Sequence, residues 1–388
     1  MNKILFLPRW YPSENDRQNG VFIQKHAQAA ALHNEVAVLY AEPSASKNAI
    51  EEKKTGNLTE VIVYYKSSFL KPISLLLYTI ALYKGWKKIT QSGFFPNLTH
   101  VHVLNRPALL ALWLKWKHNV PFIISEHWSG YVTGKFEQRG IASGLLTALA
   151  IKQAAFVTVV SETLKAGMLK CGLKADYRIL PNVVEVLPDA WKQKLPDDKF
   201  RYLVVADLRD DIKNISGVIR AFKSVYAKDN HAELILAGDG PDRKHLEDLV
   251  STQIPSLQEM ESVIPVKFLG RLSNEDVLKL IPTAHAVIIN SRIETFSVVT
   301  LEAIFSGRPV ISTRCGGPEQ FINEQNGILI EKENEAQLAD AMQKMKFNYS
   351  GYSAEKVRRS IPEKYGYEEI AQTLSGYYQV ILEKTART

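Results

Sequence analysis

The chain has 388 residues, 46% apolar and 23% charged, and a formal net charge of +7. That length exceeds what one hydrophobic core fills, so two domains of about 150–200 residues are expected. Two cysteines, Cys171 and Cys315, exclude a disulfide framework and make no spaced metal motif, which fits a reducing cytoplasm, and no window approaches the roughly 18 consecutive apolar residues of a membrane span.

The first run, KILFLP, reads as a strand; it is too short for a signal peptide and lacks a small-residue cleavage pattern. Strand candidates EVAVLY, EVIVYY, THVHVL, PFIIS, FVTVV and YRILP follow, with helical spacing between them as in QKHAQAAAL. A second set then begins: RYLVVADL, ELILAGDG, VKFLGRL, AVIINS, RPVIST and GILI, alternating with SNEDVLKLIPTA and EAQLADAMQKMK. Strict alternation indicates parallel sheets covered on both faces, an α/β doubly wound arrangement that occurs twice. Residues 1–184 are expected to form the first domain, 185–200 (EVLPDAWKQKLPDDKF) a linker and 201–364 the second domain. The helical stretch 365–388 is expected to cross back onto the first.

The charge is uneven. Residues 1–190 hold 22 Lys and Arg against 13 Asp and Glu, whereas residues 191–388 hold 26 against 28. Much of the excess brackets Lys66 to Thr90, where Lys71, Lys84, Lys87 and Lys88 interleave with Leu, Ile, Tyr and Trp. Such a stretch suits an anionic membrane surface or a core-packing helix with a solvated end. No motif supports nucleic acid.

Ligands of doubly wound sheets bind beyond the carboxyl ends of the strands. There stand PRWYPSENDRQNG, EHWSGY, DLRDDIKN, GDGP and SRIETFS. In SRIETFSVVTLEAIFSGRP, Thr295, Phe296 and Ser297 lead into a helix that Gly307 can end in left-handed conformation. Its N-terminus would present unbonded N–H groups and the positive dipole end, an anion site. Glu294 can accept from sugar hydroxyls and Glu302 from a ribose, with phosphates between them. LAGDGP lacks the third glycine of a dinucleotide fingerprint, which argues against an oxidoreductase.

The segment Glu294 to Glu302 resembles the E-x7-E motif of the retaining glycosyltransferases of family four, which have the GT-B fold of two Rossmann-like domains facing a central cleft. The loop with Gly20, SEHWSGY, VVSETL, ILPNVV, IKN, LAGDGP, VKFLGRL and CGGPEQFI occur in the order such enzymes show, so the similarity covers nearly the whole chain. It implies a donor-binding second domain and an acceptor-binding first one. Glu294 would hold donor-sugar hydroxyls, Glu302 the ribose, Lys213 the diphosphate, and His127 the reacting sugar, with Gly20 and Gly238 in loops near the donor. A core histidine satisfied by Glu126 is the plain alternative for His127. The chain departs from the family at Asp207, where relatives carry an arginine; Arg209, or less readily Arg271, would replace it.

The implied reaction retains anomeric configuration, needs no metal and no cofactor, and takes a nucleotide-diphosphate sugar as co-substrate. The acceptor would be a saccharide or a polyprenyl- or lipid-linked saccharide in cell-surface polysaccharide synthesis, and the enzyme cytoplasmic, resting on the inner face of the membrane. A sugar-nucleotide epimerase of the same fold and a non-catalytic sugar-nucleotide-binding protein are the alternatives.

Overall fold

A computed structural model describes residues 1–252 and 265–386. By contacts the chain divides into one unit of Met1–Val183 with Lys364–Thr388 and another of Val184–Glu363; residues 387 and 388 of the C-terminal stretch lie outside the described residues.

The first unit carries strands β1 (Lys3–Pro8), β2 (Glu35–Pro43), β3 (Ile50–Thr55), β4 (Leu58–Tyr65), β5 (Leu98–His102), β6 (Phe122–Glu126), β7 (Val157–Val159) and β8 (Tyr177–Ile179) in the order β3-β4-β2-β1-β5-β6-β7-β8. All pairs are parallel except β3 with β4. The β5 and β6 segments LTHVH and FIISE are buried at every residue, as strands covered on both faces must be. The sheet reverses its direction of winding between β1 and β5, which leaves a crevice at their carboxyl ends.

Strand β3, IEEKKT, corrects the expectation of purely parallel sheets. Its residues are almost all exposed, so no apolar alternation marks it. It exists because Gly56, at φ 58°, turns the chain back onto β4 as a hairpin edge. Helix Tyr367–Ala386 packs on helix Val21–His33, where Asn34 Nδ2 donates to Ser375 Oγ at 3.1 Å. Tyr378 is buried with its hydroxyl 2.8 Å from His100 Nδ1.

The second unit carries β9 (Phe200–Val205), β10 (Ala232–Ala237), β11 (Val266–Gly270), β12 (Ala286–Ile289), β13 (Val310–Thr313) and β14 (Gly327–Ile330), all parallel, in the order β11-β10-β9-β12-β13-β14. Its switch point lies between β9 and β12. The loops after those two strands carry Lys213 and Glu294.

The segment 185–200, read from sequence as a linker, makes its contacts within the second unit. Glu185 accepts from Asn274 Nδ2 at 2.9 Å, Gln193 O accepts from Arg308 Nη2 at 2.9 Å, and Phe200 already belongs to β9. Its irregular composition reflects a short 3-10 turn, Ala190–Lys192, between bends.

Candidate active site

After β9 the chain runs through Ala206–Arg209 into a single helical turn, Asp210–Lys213, ended by Asn214 at φ 48°. Asp210 fixes this turn by accepting from the backbone N and hydroxyl of Ser216, both at 2.7 Å. The glycines of GDGP permit it. A Cβ on Gly238 would stand 1.8 Å from Ala206 O and one on Gly240 2.5 Å from Leu208 O, so only glycine lets the β10 loop lie against the β9 loop. The structure gives Gly238 this packing role.

Lys213 thereby reaches Glu294, Nζ to Oε1 at 2.6 Å, with 23% and 17% of the two side chains exposed. Ser291 Oγ donates to the same oxygen at 2.8 Å. Burial opposes the lysine charge, but Glu294, with Asp207 behind it, outweighs burial and raises the Lys213 pKa. The backbone of Glu294 is also held: its N–H donates to Cys315 O and its carbonyl accepts from Gly317 N, both at 2.8 Å. Arg292 braces the pair from behind, its backbone N–H donating to Ile212 O at 2.8 Å and its guanidinium bonding to Asp210 O and, at 2.7 Å, to Glu333.

From Glu294 the chain passes Thr295, buried Phe296, whose ring packs edge-on against Phe321 at 5.2 Å, and Ser297 at φ 68°. Gly317 lies so near that a Cβ there would meet Phe296 N at 2.5 Å. Phe296 is thus an anchor of the loop. Helix Val298–Phe305 follows without a side-chain cap and without acid in its first turn; Ser297 Oγ is 2.8 Å from Thr300 Oγ1. The backbone N–H groups of that turn have no carbonyl one turn earlier within the helix. Glu302, in the second turn, is 3% exposed, so it is no ordinary surface residue.

Sequence reasoning singled out Lys213 and Glu294, and the structure joins them. Arg209 is exposed and pairs with Asp211 at 3.4 Å. Ser291 and Arg292 carry no mark in the sequence, because nothing in S-R-I-E tells that Ser291 bonds Glu294 and that Arg292 reaches the β9 loop.

In the first unit Gly20, at φ 72°, begins helix Val21–His33; a Cβ there would be 2.4 Å from Trp10 O. The loop is therefore folded tightly on Trp10, and Phe22 beside it contacts both Trp10 at 6.5 Å and His127 at 4.7 Å between ring centroids. Glu126 is fully buried and accepts from Leu104 N, His127 N, Trp128 N and the Tyr131 hydroxyl. Burial raises its pKa against the pull of these bonds. Glu126 thus satisfies the backbone of His127 and leaves the imidazole alone: both ring nitrogens of His127 are buried without a hydrogen bond, although part of the residue is exposed. His26 and His102 lie close by, one nitrogen of each of the three rings within 4.8 Å of the others, the arrangement among the described residues able to hold a metal ion.

The family model described as Glycosyltransferase Family 4 matches residues 21–186, and the one described as Glycosyl transferases group 1 matches residues 199–346. An uncharacterized glycosyltransferase of Methanocaldococcus jannaschii is 29% identical over 209 residues, 51% of each chain. A probable sucrose-phosphate synthase of Thermosipho melanesiensis is 28% identical over 312 residues, 74% of this chain and 71% of that one. The match therefore spans about half of the first relative. Among solved structures, sucrose-phosphate synthase from Thermosynechococcus elongatus superposes with a TM-score of 0.77 at 18% identity, over 99% of this chain and 100% of that one. Anabaena HepE in complex with UDP gives 0.71 at 15%, over 98% and 100%. With both units matched in order and the two parallel sheets in place, the chain belongs to the family 4 glycosyltransferases of GT-B fold.

Proposed function

We propose that the protein transfers a sugar from a nucleotide-diphosphate donor to a hydroxyl of a saccharide or lipid-linked saccharide, with retention of anomeric configuration, in cell-surface glycan synthesis. One observation carries this reading: Lys213 and Glu294 meet at the switch point of the second sheet, at the foot of helix Val298–Phe305. Lysine has three donors. One holds Glu294, and the others are free to meet a diphosphate as its negative charge grows while the anomeric C–O bond breaks. Glu294 accepts donor-sugar hydroxyls, the helix N-terminus receives phosphate, and the small exposed edge of Glu302 takes the ribose. Thr295 and Ser297 line the step between them.

In the transfer itself the acceptor oxygen bonds to the anomeric carbon on the face the leaving group vacates, and the acceptor proton passes to the departing phosphate. No protein carboxylate is assigned as nucleophile, and no metal is assigned to the step. His127 is the first-unit residue offered to the sugar; with its nitrogens covered, a hydrogen bond to a hydroxyl needs the ring to turn from beside Phe22.

The acceptor class rests on the surface of helix Lys71–Gln91. Among the described residues no helix is long and apolar enough to cross a membrane. Yet Phe69, Ile73, Leu76, Ile80 and Tyr83 are exposed along one side of that helix and its approach, 94% for Phe69 and 60% for Leu76. Lys71, Lys84, Lys87 and Lys88 stand among them. An apolar face with flanking lysines suits an anionic leaflet, which would bring the enzyme to a lipid-linked acceptor on the inner face of the membrane.

The test is calorimetry with a panel of nucleotide sugars, followed by NMR of the product formed with the donor that binds. Saturable binding and a product of unchanged anomeric configuration support the proposal. A parent that binds none of the panel, or an inverted product, refutes it.

A further inference from the structure

At the carboxyl end of the first sheet three imidazoles meet that the transfer reaction does not call for as a group: His26 from helix Val21–His33, His102 at the end of β5 and His127 just past β6. The rings of His102 and His127 are stacked at 5.8 Å, and His26 lies 5.9 Å and 5.6 Å from them. One nitrogen from each is within 4.8 Å of the other two.

Their hydrogen bonding is incomplete. A neutral imidazole carries one donor and one acceptor, and buried polar atoms nearly always have a partner. Here His26 Nδ1 and both nitrogens of His102 are buried with none, and the buried nitrogens of His127 have no close partner beyond the approach of the Asn182 side chain. His26 supplies the informative exception, because its Nε2 lies 2.9 Å from Pro181 O. As the carbonyl can only accept, Nε2 carries the proton and Nδ1 keeps its lone pair. A ring whose outer N–H is held by a backbone carbonyl while the inner nitrogen stays unpaired is the usual form of a metal-binding histidine.

The surroundings agree. Burial, and after it the neighbouring histidines, keep the His102 and His127 rings neutral, the form that binds metal; burial does the same for His26. The Asn182 side chain, whose buried Oδ1 meets no close donor, approaches the His127 ring as a weak hydrogen-bonding partner. In a tetrahedral zinc site metal–nitrogen bonds of about 2.0–2.1 Å hold ligands roughly 3.4 Å apart. Binding therefore requires the 4.8 Å spacing to shorten by rotation of the rings, whose terminal torsions are soft.

We infer that His26, His102 and His127 form a binding site for a divalent first-row transition ion of the zinc type, with Asn182 Oδ1 or a water as fourth ligand. Three imidazoles and no carboxylate favour zinc, cobalt or nickel over magnesium or calcium. The ion ties the first helix to the ends of β5 and β6 and sets the ring of His127. The three ligands belong to the first unit and the Lys213–Glu294 pair to the second, so the ion and the donor diphosphate share no ligand; the His127 nitrogen that binds the ion is not the one that meets a sugar hydroxyl.

The experiment uses untagged full-length protein stripped with chelator and titrated with zinc chloride by calorimetry and with cobalt chloride by visible absorption. One equivalent should bind with a dissociation constant in the micromolar range or below, raise the melting midpoint, and give a cobalt spectrum of nitrogen ligation. Magnesium should do neither. His26→Gln and His102→Gln should each weaken binding at least tenfold, whereas His33→Gln, which changes an exposed histidine paired with Glu368 at 2.9 Å, should leave it unchanged. No saturable binding to the folded parent, an equal response to magnesium, or binding that survives His26→Gln overturns the site. If a variant does not fold, the cobalt spectrum of the parent decides by its number of imidazole ligands. Nucleotide binding measured on the same samples tells failure of this site from failure of the transferase reading.

Discussion

Replacing Lys213 with methionine removes the charge while keeping much of the side-chain volume, so it isolates what the ammonium does. A hydrogen bond to a charged group contributes about 1.5–3 kcal/mol. Lys213 already gives one donor to Glu294 and is 23% exposed, so the lower part of that range applies to its contact with a diphosphate. At about 1.4 kcal/mol per tenfold, the loss is roughly 10- to 30-fold in affinity. Stability should also fall, because Glu294 keeps only the Ser291 hydroxyl at 2.8 Å. With 17% of its side chain exposed, this carboxylate lies between a surface pair, near 1 kcal/mol or less, and a buried one broken at about 3–5 kcal/mol, so about 1–2 kcal/mol is expected. The assay is calorimetry with whichever nucleoside diphosphate the parent binds best, alongside urea unfolding. Arg209→Ala tests the second candidate for the diphosphate; its pair with Asp211 is solvent-exposed, so a smaller loss, less than about threefold, is expected. Parent-like affinity in a folded Lys213→Met protein, or a larger loss in Arg209→Ala, would refute the assignment of the diphosphate to Lys213.

His285 has its pKa lowered from 6.5 to about 4, first by burial and then by Arg308 and Arg201. Its neutral form is favoured by folding, so its contribution is complete above pH 6.5 and is lost as pH falls toward 4. Between pH 7.5 and pH 5 that amounts to about 2 kcal/mol. His285→Asn, which keeps an acceptor for Arg201 N, should flatten the pH dependence of the urea midpoint by that amount, and an unchanged slope would count against it. Gly238→Ala should destabilise by about 3 kcal/mol or more, since φ 148° and a contact of 1.8 Å to Ala206 O leave no room. Gly144→Ala, in helix Ile141–Gln153 with open space around it, should stabilise by about 0.5–1 kcal/mol, and thermal melts with the signs reversed would contradict both arguments. Leu76→Glu with Ile80→Glu should abolish co-sedimentation with vesicles containing anionic lipid, while binding by the parent should weaken with salt; parent protein left in the supernatant at low salt removes the membrane reading.

The strands were legible in the sequence because parallel strands covered on both faces are rich in apolar and β-branched residues along their length, as PFIIS and AVIIN are. Their alternation with helices was enough for two doubly wound sheets and for the expectation that chemistry follows strand ends. Strand β3 was not legible: an exposed edge hairpin buries nothing and so needs no apolar pattern. At the candidate site the sequence marked Glu294 and Glu302 by type and spacing and Lys213 by family resemblance, but 81 residues separate Lys213 from Glu294, and only the adjacency of β9 and β12 brings them to 2.6 Å. Arg292 as a brace and Phe296 as an anchor depend on which way each side chain turns, and Gly238 as a packing point on how closely two loop backbones approach, which packing decides. The same holds for His26, His102 and His127. Each stood in the sequence as a lone histidine, and their encounter arises from the order of β1, β5 and β6, because strand order is set by burial of the whole sheet and leaves no trace in any short segment.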